Sequence, residues 1–184
     1  QSSDFHFRLS GLTSGMISWK KASLSASFIG SKDSAIARFR SNCAMLSMPT
    51  ITVLTGITQA MVIDAPRIEE VLPSLLEFIG TAVIVGHNVR FDMSFLNAAA
   101  ERLGYGRIPN PTSDTLGLAR RLVREEVRGL NLQTLAAHFR SPVTPNHRAL
   151  ADASATAHVF WGLLERAGTI GVTDLDELLR LPTA

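Results

Sequence analysis

The stretch Gly86-His87-Asn88-Val89-Arg90-Phe91-Asp92 decides the fold class, because it follows directly on an apolar run at residues 82–85. A short apolar run that stops at a glycine predicts a strand buried on both faces of a sheet. From Asp92 to Leu103 apolar residues recur at helical spacing, and Gly104 predicts the end of that helix. Strand followed by helix, repeated after residue 80, predicts an α/β architecture.

A second stretch, His147-Arg148-Ala149-Leu150-Ala151-Asp152-Ala153, combines a histidine and an aspartate five residues apart. At about 100° per residue these two side chains cannot share one face of a helix. We therefore expect Asp152 in the first turns of a helix that starts near Ala149, and His147 on the preceding loop, which Pro145 supports. The helical spacing predicts these inward-facing residues: Leu150, Ala153, Ala157, Phe160 and Leu164.

Other elements follow from caps and breakers. Pro73 lies within an apolar helical pattern, which predicts a kink or a division into two short helices. Asp114 and Asn131 are each placed to cap a helix, and residues 173–176 resemble the capping-box start of a short terminal helix.

Composition changes sharply near residue 50. Residues 1–50 hold 12 of the 17 serines and all three lysines, whereas the 12 cations after residue 50 are all arginine. The first 63 residues contain only two acids, Asp4 and Asp33. We therefore divide the chain into an atypical segment at residues 1–50, a main domain at residues 51–168 and a short helix or tail at residues 169–184.

Bulk composition excludes several classes. The 184 residues fit one domain with a full core, and the single cysteine, Cys43, excludes an intrachain disulfide or a cysteine-based zinc site. No run of about 18 apolar residues predicts a membrane span, so we expect a soluble cytoplasmic protein with no membrane partner. A net charge of +2 does not by itself predict strong non-specific binding of nucleic acid.

Each candidate for chemistry has a structural alternative. Asp92 follows a buried strand, where an α/β sheet binds ligands and a carboxylate could hold Mg²⁺ or Mn²⁺, but spacing alone favours a helix cap. His147 could deprotonate a water, or it could be an ordinary loop residue beside a solvated Asp152. His87 and Asn88 are interpreted first as residues that fix a loop.

A run of charged residues invites two interpretations. It predicts a solvated helix face, with phosphate binding as the alternative. Its members are Arg120, Arg121, Arg124, Glu125, Glu126 and Arg128.

Four stretches in order, residues 54–58, 87–92, 113–116 and 147–153, together resemble the DEDDh 3′–5′ exonucleases. The nearest resemblance is to the epsilon proofreading subunit of bacterial DNA polymerase III and its free-standing homologues. Similar domains also occur fused to a repair nuclease. The resemblance covers residues 51–168 and implies a ribonuclease-H-like fold, with a central mixed sheet flanked by helices.

The resemblance also implies a site. Asp92 and Asp152 would be metal ligands in a two-ion centre of Mg²⁺ or Mn²⁺, and His147 would be the general base. The implied partners are the 3′ ends of single-stranded DNA and a DNA polymerase III or fused repair nuclease. Phe91 would pack beneath the site. The substrate-binding positions are Thr55, Gly56, Ile57, His87, Asn88 and Phe91.

The sequence departs from the family in one respect. The first family motif is an Asp-x-Glu on an early strand, but Asp4 precedes Phe-His and Asp33 precedes Ser-Ala. We expect that residues 1 to about 49 are a frameshifted or degraded text, or the result of a wrong start.

The sequence therefore predicts a 3′–5′ exonuclease of DNA by descent, of the proofreading or repair type, with little or no hydrolysis as written. One alternative is a catalytically inactive module that binds nucleic acid or a polymerase. A third hypothesis is a product that does not fold stably.

Overall fold

A computed structural model describes residue 63 and residues 65–181 of the chain. Predictions that fall on residues 1–50 or on Thr55, Gly56 and Ile57 lie outside the described residues. None of the described helices is long and apolar enough to cross a lipid bilayer. The elements are α1 (Ile68–Ile79), β1 (Ile84–Gly86), α2 (Val89–Arg102), β2 (Thr112–Asp114), α3 (Thr115–Leu122), α4 (Leu132–His138), α5 (Ala149–Thr169) and α6 (Leu175–Arg180).

The two described strands form a parallel pair. Ile84 lies opposite Thr112 and Gly86 lies opposite Asp114, so both strands end at the same level. Helix α2 is the crossover that a parallel pair requires between its strands. The predicted strand–helix–strand order is confirmed, with β1 shifted by one to two residues from the apolar run at residues 82–85.

Two apolar clusters hold the helices in place. One joins α1, α2 and the loop before β2, and is built around Leu72, Met93, Ala100 and Ile108. The other joins α3, α4, α5 and α6, with α5 contacting both α3 and α4. Its buried residues include Leu118, Val123, Leu135, Val159, Leu163, Val172 and Leu178.

The predicted caps at Asp114 and Asn131 are confirmed, and the predicted capping box at residues 173–176 lies one residue later, at Asp174 and Glu177. The Asp114 carboxylate accepts from the backbone N–H of Leu116 at 3.0 Å, and the Asn131 side-chain oxygen accepts from that of Thr134 at 2.8 Å. At the last helix, Asp174 accepts from the N–H of Glu177 at 2.8 Å. Each cap satisfies one of the N–H groups that a helix start leaves without an intrahelical partner.

Two helix predictions need correction. Of the two alternatives at Pro73, the division into two short helices is wrong, because α1 runs through Pro73 as one helix, whereas the kink stays a prediction. Pro73 lies on the exposed side of α1, while Leu72 and Ile79 are buried. Packing of one helix face outweighs the single backbone hydrogen bond that a proline removes. None of the predicted inward-facing residues of α5 is among its buried residues. Leu150 is 51% exposed, and Ala153, Ala157, Phe160 and Leu164 are half-buried, because the buried stripe runs through Ala155, Val159, Leu163 and Ala167.

A close approach at Gly162 gives a testable consequence for stability. A Cβ atom built on Gly162 would overlap the ring of Phe139, which follows α4. We expect Gly162→Ala to lower the free energy of unfolding by about 1–3 kcal/mol, the usual cost of overpacking. At Gly129 a Cβ would meet its nearest atoms at 3.7 Å, which is ordinary contact, so Gly129→Ala is the control. Urea unfolding of both variants measures the difference, and equal losses would contradict the argument.

Candidate functional site

The two strands end side by side, and one aspartate joins the segments that follow them. Asn88 has a left-handed backbone conformation, with φ 64° and ψ 45°, and its N–H donates to Asp114 Oδ1 at 2.8 Å. The N–H of Leu116 donates to the same oxygen at 3.0 Å. Asp114 therefore caps α3 and also holds the turn from which α2 starts.

Thr115 adds a second connection between these segments. Its side chain is fully buried, and its hydroxyl donates to the carbonyl oxygen of Gly86 at 3.2 Å. The Thr115 hydroxyl oxygen also lies 3.0 Å from His87 Nδ1. A buried hydroxyl is costly unless it is hydrogen-bonded, so this pair of contacts fixes the end of β1 against the start of α3.

His87 is held within the protein. Burial lowers the pKa of its imidazole, and the charge of Asp114 and a contact with the backbone of Leu130 oppose that shift. The imidazole is therefore favoured in its neutral form. These contacts suit a residue that fixes a loop, and its role in substrate binding stays a prediction.

Asp92 lies in the first turn of α2, whose N-cap is Asn88. The interpretation of Asp92 as a helix cap is therefore wrong, because α2 begins three residues earlier than expected. The residue is exposed, but partial desolvation of its carboxyl raises its pKa, and the negative charge of Asp114 raises it further. The structure thus brings the carboxylates of Asp92 and Asp114 close enough to repel each other, near the carboxyl ends of β1 and β2.

Asp152 and His147 take the predicted positions. Asp152 lies in the first turn of α5, and its Oδ1 accepts from the backbone N–H of Asn146 at 3.0 Å. His147 is exposed on the preceding loop, with a positive φ of 60°. The Asp152 carboxylate therefore helps to shape the loop that presents His147, whereas its role as a metal ligand stays a prediction.

The described residues do not fit a two-ion metal centre. Among residue 63 and residues 65–181, no group of three or more His, Cys, Asp or Glu side chains could hold a metal ion. Asp92 and Asp152 are the predicted ligands in this part of the chain, and two carboxylates fall short of the oxygen ligand sets that hold divalent cations.

Phe91 lies on the surface. Its side chain is 56% exposed, and its ring meets the ring of Phe95 edge-on, with centroids 4.8 Å apart. The expectation that Phe91 packs beneath the site stays a prediction. Its predicted contact with substrate is untested.

Sequence analysis did not find the connecting roles of Asp114 and Thr115. Asp114 was predicted only as a cap, and Thr115 had no predicted role. Asp114 ends β2 and Thr115 follows it, at the level where the parallel strand β1 also ends. The carboxyl ends of parallel strands meet at one edge, so residues after two such strands are expected to interact.

Comparison with known proteins gives one matching family model. Residues 38–160 match the model of a family described as Exonuclease. The match covers both stretches that carry Asp92, His147 and Asp152.

Curated relatives match over about two thirds of the chain. The PolC-type DNA polymerase III of Caldanaerobacter subterraneus is 45% identical over 128 residues, which are 70% of this chain and 9% of that protein. The PolC-type enzyme of Oceanobacillus iheyensis is 45% identical over 121 residues, which are 66% of this chain and 8% of that protein. The chain thus spans less than a tenth of the length of these relatives.

Similarity in fold extends to solved structures. Exonuclease X, in complex with 5′ overhanging duplex DNA, superposes with a TM-score of 0.50 at 27% identity, covering 71% of this chain and 73% of that one. The family match and this likeness confirm the predicted ribonuclease-H-like α/β fold.

Proposed function

This chain belongs to the DnaQ-like exonuclease family, and from that premise we propose that it is a 3′–5′ exonuclease domain for DNA ends with impaired hydrolysis. The observation that carries the proposal is the placement of the two family stretches. Asp92 lies in the first turn of the helix after β1, and Asp152 lies in the first turn of α5. His147 lies on the loop that Asp152 shapes.

DNA is the proposed substrate because of what the similar proteins are. The curated relatives are DNA polymerases, and the similar solved structure is a complex with duplex DNA. We propose single-stranded 3′ ends as the substrate, and a replicative polymerase or an associated repair nuclease as the partner.

We propose that hydrolysis is impaired because the described residues supply too few ligands for two metal ions. Exonucleases of this type generally use divalent metal ions. We propose that Asp92 and Asp152 are the remaining ligands for Mg²⁺ or Mn²⁺, and that His147 is the remaining general base. Thr55, Gly56, Ile57, His87, Asn88 and Phe91 are the proposed contacts with the terminal nucleotides.

The proposal is tested by hydrolysis of a 3′-labelled single strand in Mn²⁺. Metal ions contribute several kcal/mol of charge stabilisation, so loss of the centre should reduce the rate by about 10³-fold or more. The reference is the corresponding exonuclease domain of the Caldanaerobacter subterraneus relative, which is 45% identical to this chain.

The control is Asp152→Ala, which removes a proposed metal ligand and should lower the residual rate of this chain to background. A rate close to that of the reference domain, abolished by Asp152→Ala, would contradict the impairment. DNA binding with no hydrolysis at any metal concentration would instead support the inactive binding module.

A further inference from the structure

The arginines of the chain are concentrated on one segment. Four of the 12 arginines after residue 50 lie between residues 120 and 128, and all four are exposed. Arg121 lies in the last turn of α3, where a cation also stabilises the helix dipole. Arg124 and Arg128 lie beyond Leu122, where α3 ends. The interaction with the helix dipole is therefore weaker at Arg124 and absent at Arg128.

The two glutamates in this segment do not neutralise its four arginines, so the segment keeps a net positive charge. Of the two glutamates within it, Glu126 accepts from Arg166 Nη2 at 2.6 Å and lies 3.5 Å from His138 Nε2. Arg166 on α5 therefore matches the charge of Glu126, rather than Arg124 or Arg128. Glu125 opposes the two arginines only in part.

The segment runs out from the site and back to it. Helix α3 starts at Thr115, beside His87, and its eight residues extend about 12 Å at 1.5 Å per residue. The chain then returns, because the backbone of Leu130 contacts the His87 imidazole. Arg128 thus lies two residues from the site end of this path, and Arg124 lies farther out.

We propose that Arg124 and Arg128 bind backbone phosphates of single-stranded DNA next to the 3′ end that enters the site. Guanidinium groups suit this role because they pair with phosphate oxygens through two parallel hydrogen bonds. The proposal rests on the proposed function, since it takes DNA as the substrate, but it does not require hydrolysis.

The test measures binding of a fluorescein-labelled oligodeoxythymidylate to the full chain in EDTA, over a range of NaCl concentrations. Each phosphate contact on a single strand contributes about 0.7 to the slope of log K against log salt. Arg124→Ala with Arg128→Ala should therefore reduce the slope by about 1.4 and weaken binding at low salt. Arg124→Lys with Arg128→Lys should keep the slope.

Arg107→Ala is the matched control. Arg107 has an exposed side chain, at 76%, on the loop before β2, at the opposite end of the strands from the site. We expect it to leave the slope unchanged. A circular dichroism melt confirms that each variant is folded.

Two outcomes would overturn the inference. If the unmodified chain binds but the double alanine variant keeps the full slope, the strand follows another path, and the hydrolysis assay still decides the proposed function. If the chain binds no oligonucleotide at low salt, the segment does not bind DNA, and a protein partner for these arginines becomes the better explanation.

Discussion

Hydrolysis of a 3′-labelled strand is expected to rise by about 10³-fold or more when residues 1–49 are replaced by the amino-acid sequence that another reading frame of the upstream DNA encodes. The expected gain comes from restoring the Asp-x-Glu whose carboxylates the described residues do not replace. It is the largest effect that we predict for this chain.

The composition of the chain supports this expectation. Serines and all three lysines accumulate before residue 50, and no glutamate occurs before Glu69. The two stretches that carry Asp92 and Asp152 lie well after the change in composition. The family model matches from residue 38, however, so the family sequence begins before residue 50 and a change of frame is expected before residue 38. A shifted frame alters every residue on one side of a point and none on the other, which fits such a boundary.

The corrected chain carries its own control. Asp152→Ala in the corrected chain should remove the restored rate, whereas Asp174→Ala, at the cap of α6, should leave it nearly unchanged. If neither of the other two frames encodes an Asp-x-Glu preceded by apolar residues, the frameshift explanation is wrong. A corrected chain that is no faster than the original would place the defect after residue 50.

Local patterns predicted the elements that follow residue 80 well. The Asp114, Asn131 and Asp174 caps form because a side-chain oxygen near a helix start has few better partners than the unpaired N–H groups. Asp92 was wrongly interpreted as a cap because α2 begins at Val89, after Asn88, whose side chain makes no cap hydrogen bond that the sequence could have signalled. Only the left-handed turn at Asn88 decides where α2 begins.

The site was harder to predict than the fold. The bond from Asn88 to Asp114 joins residues 26 apart in sequence, and that from Thr115 to Gly86 joins residues 29 apart. Neither bond follows from spacing, because it depends on the register of β1 against β2. The inward face of α5 was also mispredicted, because the buried stripe runs through Ala155, Val159 and Leu163 rather than through Leu150 and Ala157. Which side of this helix packs inward depends on its contacts with α3 and α4.

Leu163→Ala is expected to lower the free energy of unfolding by about 2–5 kcal/mol, the second of the two largest effects. Leu163 is fully buried in the cluster that α5 shares with α3 and α4. Truncation removes apolar contacts and leaves a cavity, because three helices cannot collapse around one position. The total free energy of unfolding of most domains is only about 5–15 kcal/mol, so this loss is severe.

Leu150→Ala tests whether burial causes that loss. Leu150 is the same residue type on the same helix but is 51% exposed, so its truncation should change stability by about 0.5 kcal/mol or less. In urea, Leu163→Ala should lower the midpoint with an unchanged slope, and the volume-conserving Leu163→Met should lower it by less.

Equal effects at both leucines would contradict the packing argument. An unmodified chain with no cooperative transition would refute it and support a product that does not fold stably. A cooperative transition with a large difference between the leucines would show that the α3–α5 cluster holds together whatever the status of residues 1–49.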